Sequence, residues 1–178
     1  SLSEAALVAL PAAIPAASNG TAADFFKFEA KAGQQVSVDV LAARLASSMD
    51  PVIRLIAVDG TELGYSDDYV GLGADARLQV TIPADGQYAV EVLDSKYAGA
   101  SPYYIRIGDF PLATTTLPAA LQVGEDRAVG FSGTGTKGIT GTVNLGNVVP
   151  GGEVRAGARA ESSTMSGFAR ALASSGPQ

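Results

Sequence analysis

The chain has 178 residues, 47% of them hydrophobic and 17% charged, enough apolar material for one medium domain or two small ones and too much for a disordered chain. It contains no His and no Cys, which excludes Ser-His-Asp and Cys-His catalysis, His- or thiolate-bound metals, iron–sulfur clusters and disulfides. Net charge is −6 with no basic stripe to neutralise phosphates, which argues against nucleic acid as a partner. Absence of Cys does not decide the compartment, because many exported proteins avoid it.

Charge is divided unevenly. Residues 1–109 carry 14 acids and 7 bases, and residues 110–178 carry 4 acids and 5 bases. The change at Asp109-Phe-Pro111 predicts a boundary between two domains, 1–109 and 110–178.

Along the chain, Ser1-Leu-Ser-Glu4 has the spacing of a capping box and predicts a short helical turn. The stretch Ala5 to Ala17 is the longest apolar one, but Pro11 and Pro15 force it to be extended. It is too interrupted to span a membrane, and without a basic leader it is no signal peptide; the signal of an exported chain would lie upstream. Asn19-Gly20 marks a turn, and residues 1–22 read as a lead-in segment.

Phe26 and Phe28 alternate with Lys27 and Glu29, and Val36, Val38 and Val40 alternate with Ser37 and Asp39. Period-2 alternation of this kind is a strand with one wet face. Val52 to Val58 is nearly all apolar and reads as a central strand, with Asp59-Gly60 turning it into Thr61 to Tyr65. Leu78 to Ile82, Tyr88 to Val92 and Tyr103 to Ile107 complete the first domain. Strands at roughly ten-residue spacing predict an antiparallel sandwich or barrel.

Beyond Pro111, Leu121 to Ser132 reads as one or two strands, Gly133 to Gly138 as a loop and Ile139 to Leu145 as a strand. The tail from Ala156 is rich in Ala, Ser and Arg; Phe168 to Ala173 reads equally as a last strand or a short helix.

Several motifs carry chemistry by letter. Gly133-x-Gly-x-x-Gly138 spells a dinucleotide fingerprint, but a strand follows it where a helix N-terminus must receive the pyrophosphate, so it reads as a hairpin loop. A Ser–Lys dyad survives the missing His, yet Lys27, Lys31, Lys96 and Lys137 all fall on polar faces or turns, where the burial that would activate such a lysine is not suggested. Paired carboxylates could serve a glycosidase, but the acids sit on turns and no Trp supplies a sugar platform. Asp67, Asp68 and Asp75 flank one loop and could together hold a hard cation such as calcium. The alternative is that they bind local backbone N–H groups as turn residues. Tyr65, Tyr69, Tyr97 and Tyr103 form a candidate binding surface for a protein or glycan, since loop tyrosines give rigid contact area.

The blocks Asp24-Phe-Phe-Lys-Phe28, Ala32-Gly-Gln34, Asp50-Pro-Val-Ile-Arg-Leu55, Asp59-Gly60, Ser66-Asp-Asp68 and Gly86-Gln-Tyr-Ala-Val-Glu-Val-Leu-Asp94 follow one another in order. In this order they resemble the bacterial pre-peptidase C-terminal (PPC) domain family over residues 8–109. The resemblance implies a jelly-roll-like β-sandwich, followed over 110–178 by a smaller Ig-like β module. The run Ala42 to Pro51 and the junction Ile107 to Pro111 are similar to those of long multi-module secreted proteins of planctomycete-type bacteria, which implies a module pair from a longer array. It also implies calcium held partly by Asp24, the acid before the first aromatic strand, although Thr21 stands where the family has a second acid.

These readings give an all-β, non-catalytic, extracytoplasmic binding, adhesion or spacer module with a cell-surface protein or glycan as partner. The rival expectations are a docking subunit of a larger periplasmic or cell-surface assembly, and an accessory domain of a secreted hydrolase whose catalytic domain lies elsewhere.

Overall fold

The computed structural model describes residues 2–158 and 168–175. The chain divides into two compact units, Ser1–Asp109 and Phe110–Gln178.

The first unit contains β1 (Ala12–Ala17), β2 (Asp24–Ala30), β3 (Gln35–Leu41), a 3-10 turn (Ala43–Leu45), β4 (Pro51–Ala57), β5 (Glu62–Ser66), β6 (Arg77–Thr81), β7 (Gly86–Asp94) and β8 (Pro102–Gly108). They form two four-stranded sheets, in the orders β1-β8-β3-β6 and β2-β7-β4-β5, and every pair is antiparallel. Two sheets in these orders are a jelly roll, as expected from the sequence. Residues 2–4 form a turn rather than a helix, and Pro11 to Ala17 runs extended into β1.

The alternation of apolar and polar residues decides what lies between the sheets. Val36, Val38, Val40, Ile105 and Ile107 face Phe28, Ile53, Leu55, Val90 and Val92 in one core. Phe28 stacks on Tyr88 with ring centroids 6.1 Å apart. At the β5–β6 side the sheets approach so closely that a Cβ on Gly64 would sit 2.8 Å from Val80 Cγ2.

The opposite face of β3 holds a buried ionic cluster. Asp39 accepts from Arg77 Nε at 2.7 Å and Arg44 Nη2 at 2.6 Å, and Arg106 Nη1 lies 3.6 Å from it. Burial alone would raise the Asp39 pKa, but Arg77 and Arg44 outweigh it and hold the carboxylate below its ordinary range.

The second unit contains β9 (Leu112–Gln122), β10 (Arg127–Thr134), β11 (Thr140–Val143), β12 (Glu153–Gly157) and β13 (Phe168–Ser174). They make one five-stranded sheet in the order β11-β10-β9-β13-β12. The long β9 pairs antiparallel with β10 through its first half and parallel with β13 through its second. The span Leu121 to Ser132 therefore holds the end of β9, a turn and most of β10. The tail forms a strand rather than a helix from Phe168 onward, and 159–167 lie outside the described residues. Its core comprises Leu121, Val129, Phe131, Val143, Leu145 and Val154 with Ala113, Ala156, Ala158, Ala169 and Ala171.

Candidate functional site

Antiparallel pairing brings the ends of β1, β3, β5 and β7 and the starts of β2, β4, β6 and β8 to the same pole of the first unit. The acidic turns of the sequence converge there.

Asp50, Asp67 and Asp68 each offer a carboxylate oxygen, and these three atoms lie within 4.8 Å of one another. Asp67 and Asp68 are exposed on the loop after β5, while Asp50 is half-buried just before Pro51 opens β4. Asp50 is held by its own N–H, which donates to Asp94 Oδ1 at 3.2 Å. Its Oδ1 is buried, and among the described residues it is the buried side-chain oxygen that has no hydrogen-bond partner. A bare buried carboxylate oxygen is costly unless a donor or a cation reaches it. Lys96 Nζ stands 3.6 Å from the other oxygen, Oδ2. Tyr65 donates to Asp67 Oδ2 at 3.2 Å, and Ser66 Oγ donates to the Asp67 carbonyl at 3.1 Å. Desolvation, with the charge of Asp67 beside it, raises the Tyr65 pKa and keeps the phenol a donor.

The other predicted acids lie elsewhere. Asp75 is fully buried, so it does not join Asp67 and Asp68. Its carboxylate accepts from the N–H groups of Ala42, Ala43 and Arg44 at 2.6, 2.7 and 3.2 Å, and from Arg44 Nε. It therefore anchors the 3-10 turn, and its carbonyl receives Tyr69 N–H at 3.0 Å. Asp24 accepts the Tyr103 hydroxyl at 2.6 Å. Tyr103 is only 2% exposed, so it belongs to the core and not to a binding surface. Burial, reinforced by the Asp24 carboxylate, pushes its pKa far upward. On β8 the outward tyrosine is its neighbour Tyr104. The two adjacent tyrosines left the strand's parity open by one residue, and Ile105 and Ile107, which share a face with Tyr103, resolve it.

Two more residues of this pole escaped sequence reasoning. Asp94, 1% exposed, accepts from Asp50 N–H, Lys96 N–H, Ala98 N–H and Ser18 Oγ, and so organises the turn between β7 and β8. Asp50 completes the trio with the two loop acids. The sequence offered only a partial signal, that each acid ends or precedes an apolar strand; it is the β4–β7 pairing that sets Pro51 opposite Asp94. That turn displays Tyr97, which is 64% exposed and has φ +53, a conformation bulky residues rarely adopt. Tyr65 is 55% exposed and Tyr69 half-buried. Among the described residues no helix is long and apolar enough to cross a membrane.

The chain is similar to several known proteins over part of its length. A probable subtilase-type serine protease of Deinococcus radiodurans is 39% identical over 70 residues; the match covers 39% of this chain and 9% of the protease. Among solved structures, the pre-peptidase C-terminal domain of Bacillus anthracis collagenase is similar with TM-score 0.48 and 15% identity, covering 58% of this chain and 94% of that domain. A periplasmic inhibitor of g-type lysozyme from Aeromonas hydrophila, PliG, is similar with TM-score 0.46 and 20% identity, covering 57% and 92%. The strand-and-turn blocks from Asp24 to Leu93, with the acids at 50, 67 and 68 among them, fall inside residues 22–93, which match the family of the bacterial pre-peptidase C-terminal domain.

Proposed function

We propose that this chain is a non-catalytic, extracytoplasmic binding or spacer module carried as an accessory by a secreted hydrolase, with calcium held at its acidic pole. The observation that carries the reading is the family match over residues 22–93, which encloses the Asp50–Asp67–Asp68 trio. The Deinococcus protein is a probable protease of which the match spans 9%, which favours an appendage over a self-sufficient enzyme. The second unit fits an Ig-like β module: its first strand divides its pairing between an antiparallel neighbour and the parallel last strand.

The trio fits a hard cation. Calcium takes carboxylate and carbonyl oxygens in flexible geometry, and the partnerless Oδ1 of Asp50 is an oxygen that such an ion would satisfy. Asp50, Asp67 and Asp68 would hold it, and the ion would join the start of β4 to the loop after β5. Asp24 and Asp75 stand apart, occupied by Tyr103 and by the Arg44 turn.

A ligand that binds only the folded state raises its melting temperature. Thermal unfolding of the whole chain should shift upward with millimolar calcium, and Asp67→Asn with Asp68→Asn should abolish the shift. No shift in the parent chain would remove calcium from the proposal. Protease, esterase and glycosidase assays on the pure chain should be blank; turnover that co-purifies with it would overturn the non-catalytic reading.

A further inference from the structure

The turn between β1 and β2 joins two residues with covalent chemistry of their own. Asn19 bridges to Ala22, with Gly20 and Thr21 as the turn between them. Gly20 has φ +71, which glycine adopts without strain. Asn19 is exposed, although Ser18 before it is buried. Neither the side chain of Asn19 nor the N–H of Gly20 hydrogen-bonds to another described residue.

The amide carbon of an asparagine side chain is open to attack by the next residue's backbone nitrogen, which closes a five-membered imide. A side chain on that next residue crowds the attack, so glycine permits it best. The other asparagines are worse placed. Asn144 Oδ1 accepts Gly146 N–H at 3.3 Å, and the next residue, Leu145, is fully buried. Asn147 is followed by β-branched Val148. Asp59-Gly60 and Asp85-Gly86 have the same spacing, but backbone N–H groups, of Thr61 and Ala32, hold both carboxylates ionised, and a carboxylate resists attack.

We propose that Asn19 is a site of spontaneous modification, converting to aspartate and isoaspartate, and that isoaspartate there loosens the loop that displays Tyr97. The Gly20 nitrogen loses its proton and bonds to Asn19 Cγ, and ammonia leaves. Water then opens the imide. Attack at Cγ leaves aspartate. Attack at the main-chain carbonyl leaves isoaspartate, whose main chain runs through the side chain and gains a methylene. Nothing is oxidised or reduced, and either product adds a negative charge to the acidic pole.

The fold ties this turn to the loop between β7 and β8. Ser18 N–H donates to the Ser101 carbonyl at 2.9 Å, and the Ser18 carbonyl accepts Ala100 N–H at 2.6 Å. Gly20 lies against Gly99: a Cβ on Gly99 would meet Gly20 Cα and N at 3.6 Å. Tyr97, Gly99 and Ala100 all have positive φ, so that loop has few other conformations to yield into. An added methylene between Asn19 and Gly20 displaces Gly20 from Gly99 and reaches Tyr97 through this loop. The proposal rests on neither calcium nor the non-catalytic reading.

The test incubates the pure whole chain at mildly alkaline pH, folded and unfolded in urea, and maps its peptides by mass spectrometry. The Asn19 peptide should gain the mass of an amide-to-acid exchange ahead of the Asn144 and Asn147 peptides, in the folded chain as in the unfolded one. Asn19→Gln should lose the conversion. In amide NMR, the isoaspartate fraction should show shifts at residues 97–101. Asn19→Asp, which supplies the charge without lengthening the chain, should lack them. Conversion in the unfolded chain alone, or first at Asn144 or Asn147, would overturn the site. Identical spectra for the isoaspartate fraction and Asn19→Asp would overturn the coupling to Tyr97.

Discussion

The two units bury different things. The first fills its core with large side chains, among them Phe28, Met49, Ile53, Leu55, Tyr88, Tyr103, Ile105 and Ile107, between two sheets. Among the described residues the second has a single sheet, and five of those in its buried core are alanines. An alanine removes little apolar surface from water compared with Leu or Phe, so the second unit gains less per residue ordered. The first unit can therefore also accommodate a buried ionic cluster, whose desolvation cost needs such a margin. Calorimetry should accordingly show two transitions, the second unit melting first. A single transition would mean that the units unfold as one.

The largest effect should come from a backbone contact in the second unit. Gly133 has φ +132, and a Cβ there would lie 2.0 Å from the Leu112 carbonyl oxygen, with Ala113 Cα at 3.1 Å. No flexible side chain can yield, because all these atoms are backbone. Gly133→Ala should cost more than about 4 kcal/mol, enough to unfold a marginal unit. The lower transition should vanish while the upper one stays in place; a loss of both would break the comparison.

Next is Asp39 in the first unit. Asp39→Asn removes a buried partner from three guanidiniums, and breaking a buried pair in this way costs about 3–5 kcal/mol. The same residue gives the unit an acid limb. Its folded pKa is depressed, so its contribution is complete above the unfolded value of about 3.9 and is lost as pH falls through the folded one. The upper transition should drop in temperature through that window, and in Asp39→Asn the drop should be shallower. An unchanged acid limb in the variant would assign it to other carboxylates.

A smaller effect should follow at the β5–β6 closure. In Gly64→Ala the new methyl would meet Val80 Cγ2 at 2.8 Å, and a valine on a half-buried edge can shift only in part. Overpacking of this kind costs about 1–3 kcal/mol, and the simultaneous Val80→Ala change should recover much of it. If the double variant is no more stable than the single one, the sheets are not packed through this pair.

How much of this was legible in the sequence depends on what each feature needs. Alternation at Phe26–Phe28, Val36–Val40 and Tyr88–Val92 marks strands because successive side chains point to opposite faces, although the face of β3 expected to be wet is buried, Ser37 and Asp39 included, and Asp59-Gly60 fixes a hairpin locally. The strand β1 was read only as an extended segment, because Ala-Ala-Ile-Pro-Ala-Ala carries no contrast between faces; β12 was missed although Glu153 and Arg155 alternate with Val154 and Ala156, because so short a run led into a tail read by its Ala, Ser and Arg content. The candidate site was legible only in part. Asp67 and Asp68 are neighbours in the chain, but their partner Asp50 joins them through the β4–β5 pairing, which composition does not reveal. Asp75 looked like a loop acid until the N–H groups of residues 42–44, more than thirty positions away, were found on it.

The smallest effect sharpens the acidic pole itself. Tyr103→Phe removes the hydroxyl from Asp24 and leaves the core ring in place. A hydrogen bond to a carboxylate is worth about 1.5–3 kcal/mol, and Asp24 is half-buried, so the loss should sit at the low end. The upper transition alone should fall. Calcium affinity should be unchanged, because Asp24 is paired with Tyr103 rather than aimed at Asp50, Asp67 and Asp68. If the variant instead bound calcium more tightly, the hydroxyl would have been competing with the ion for Asp24. The metal site would then begin at β2, as the family resemblance implies, and not at the mouth of β4.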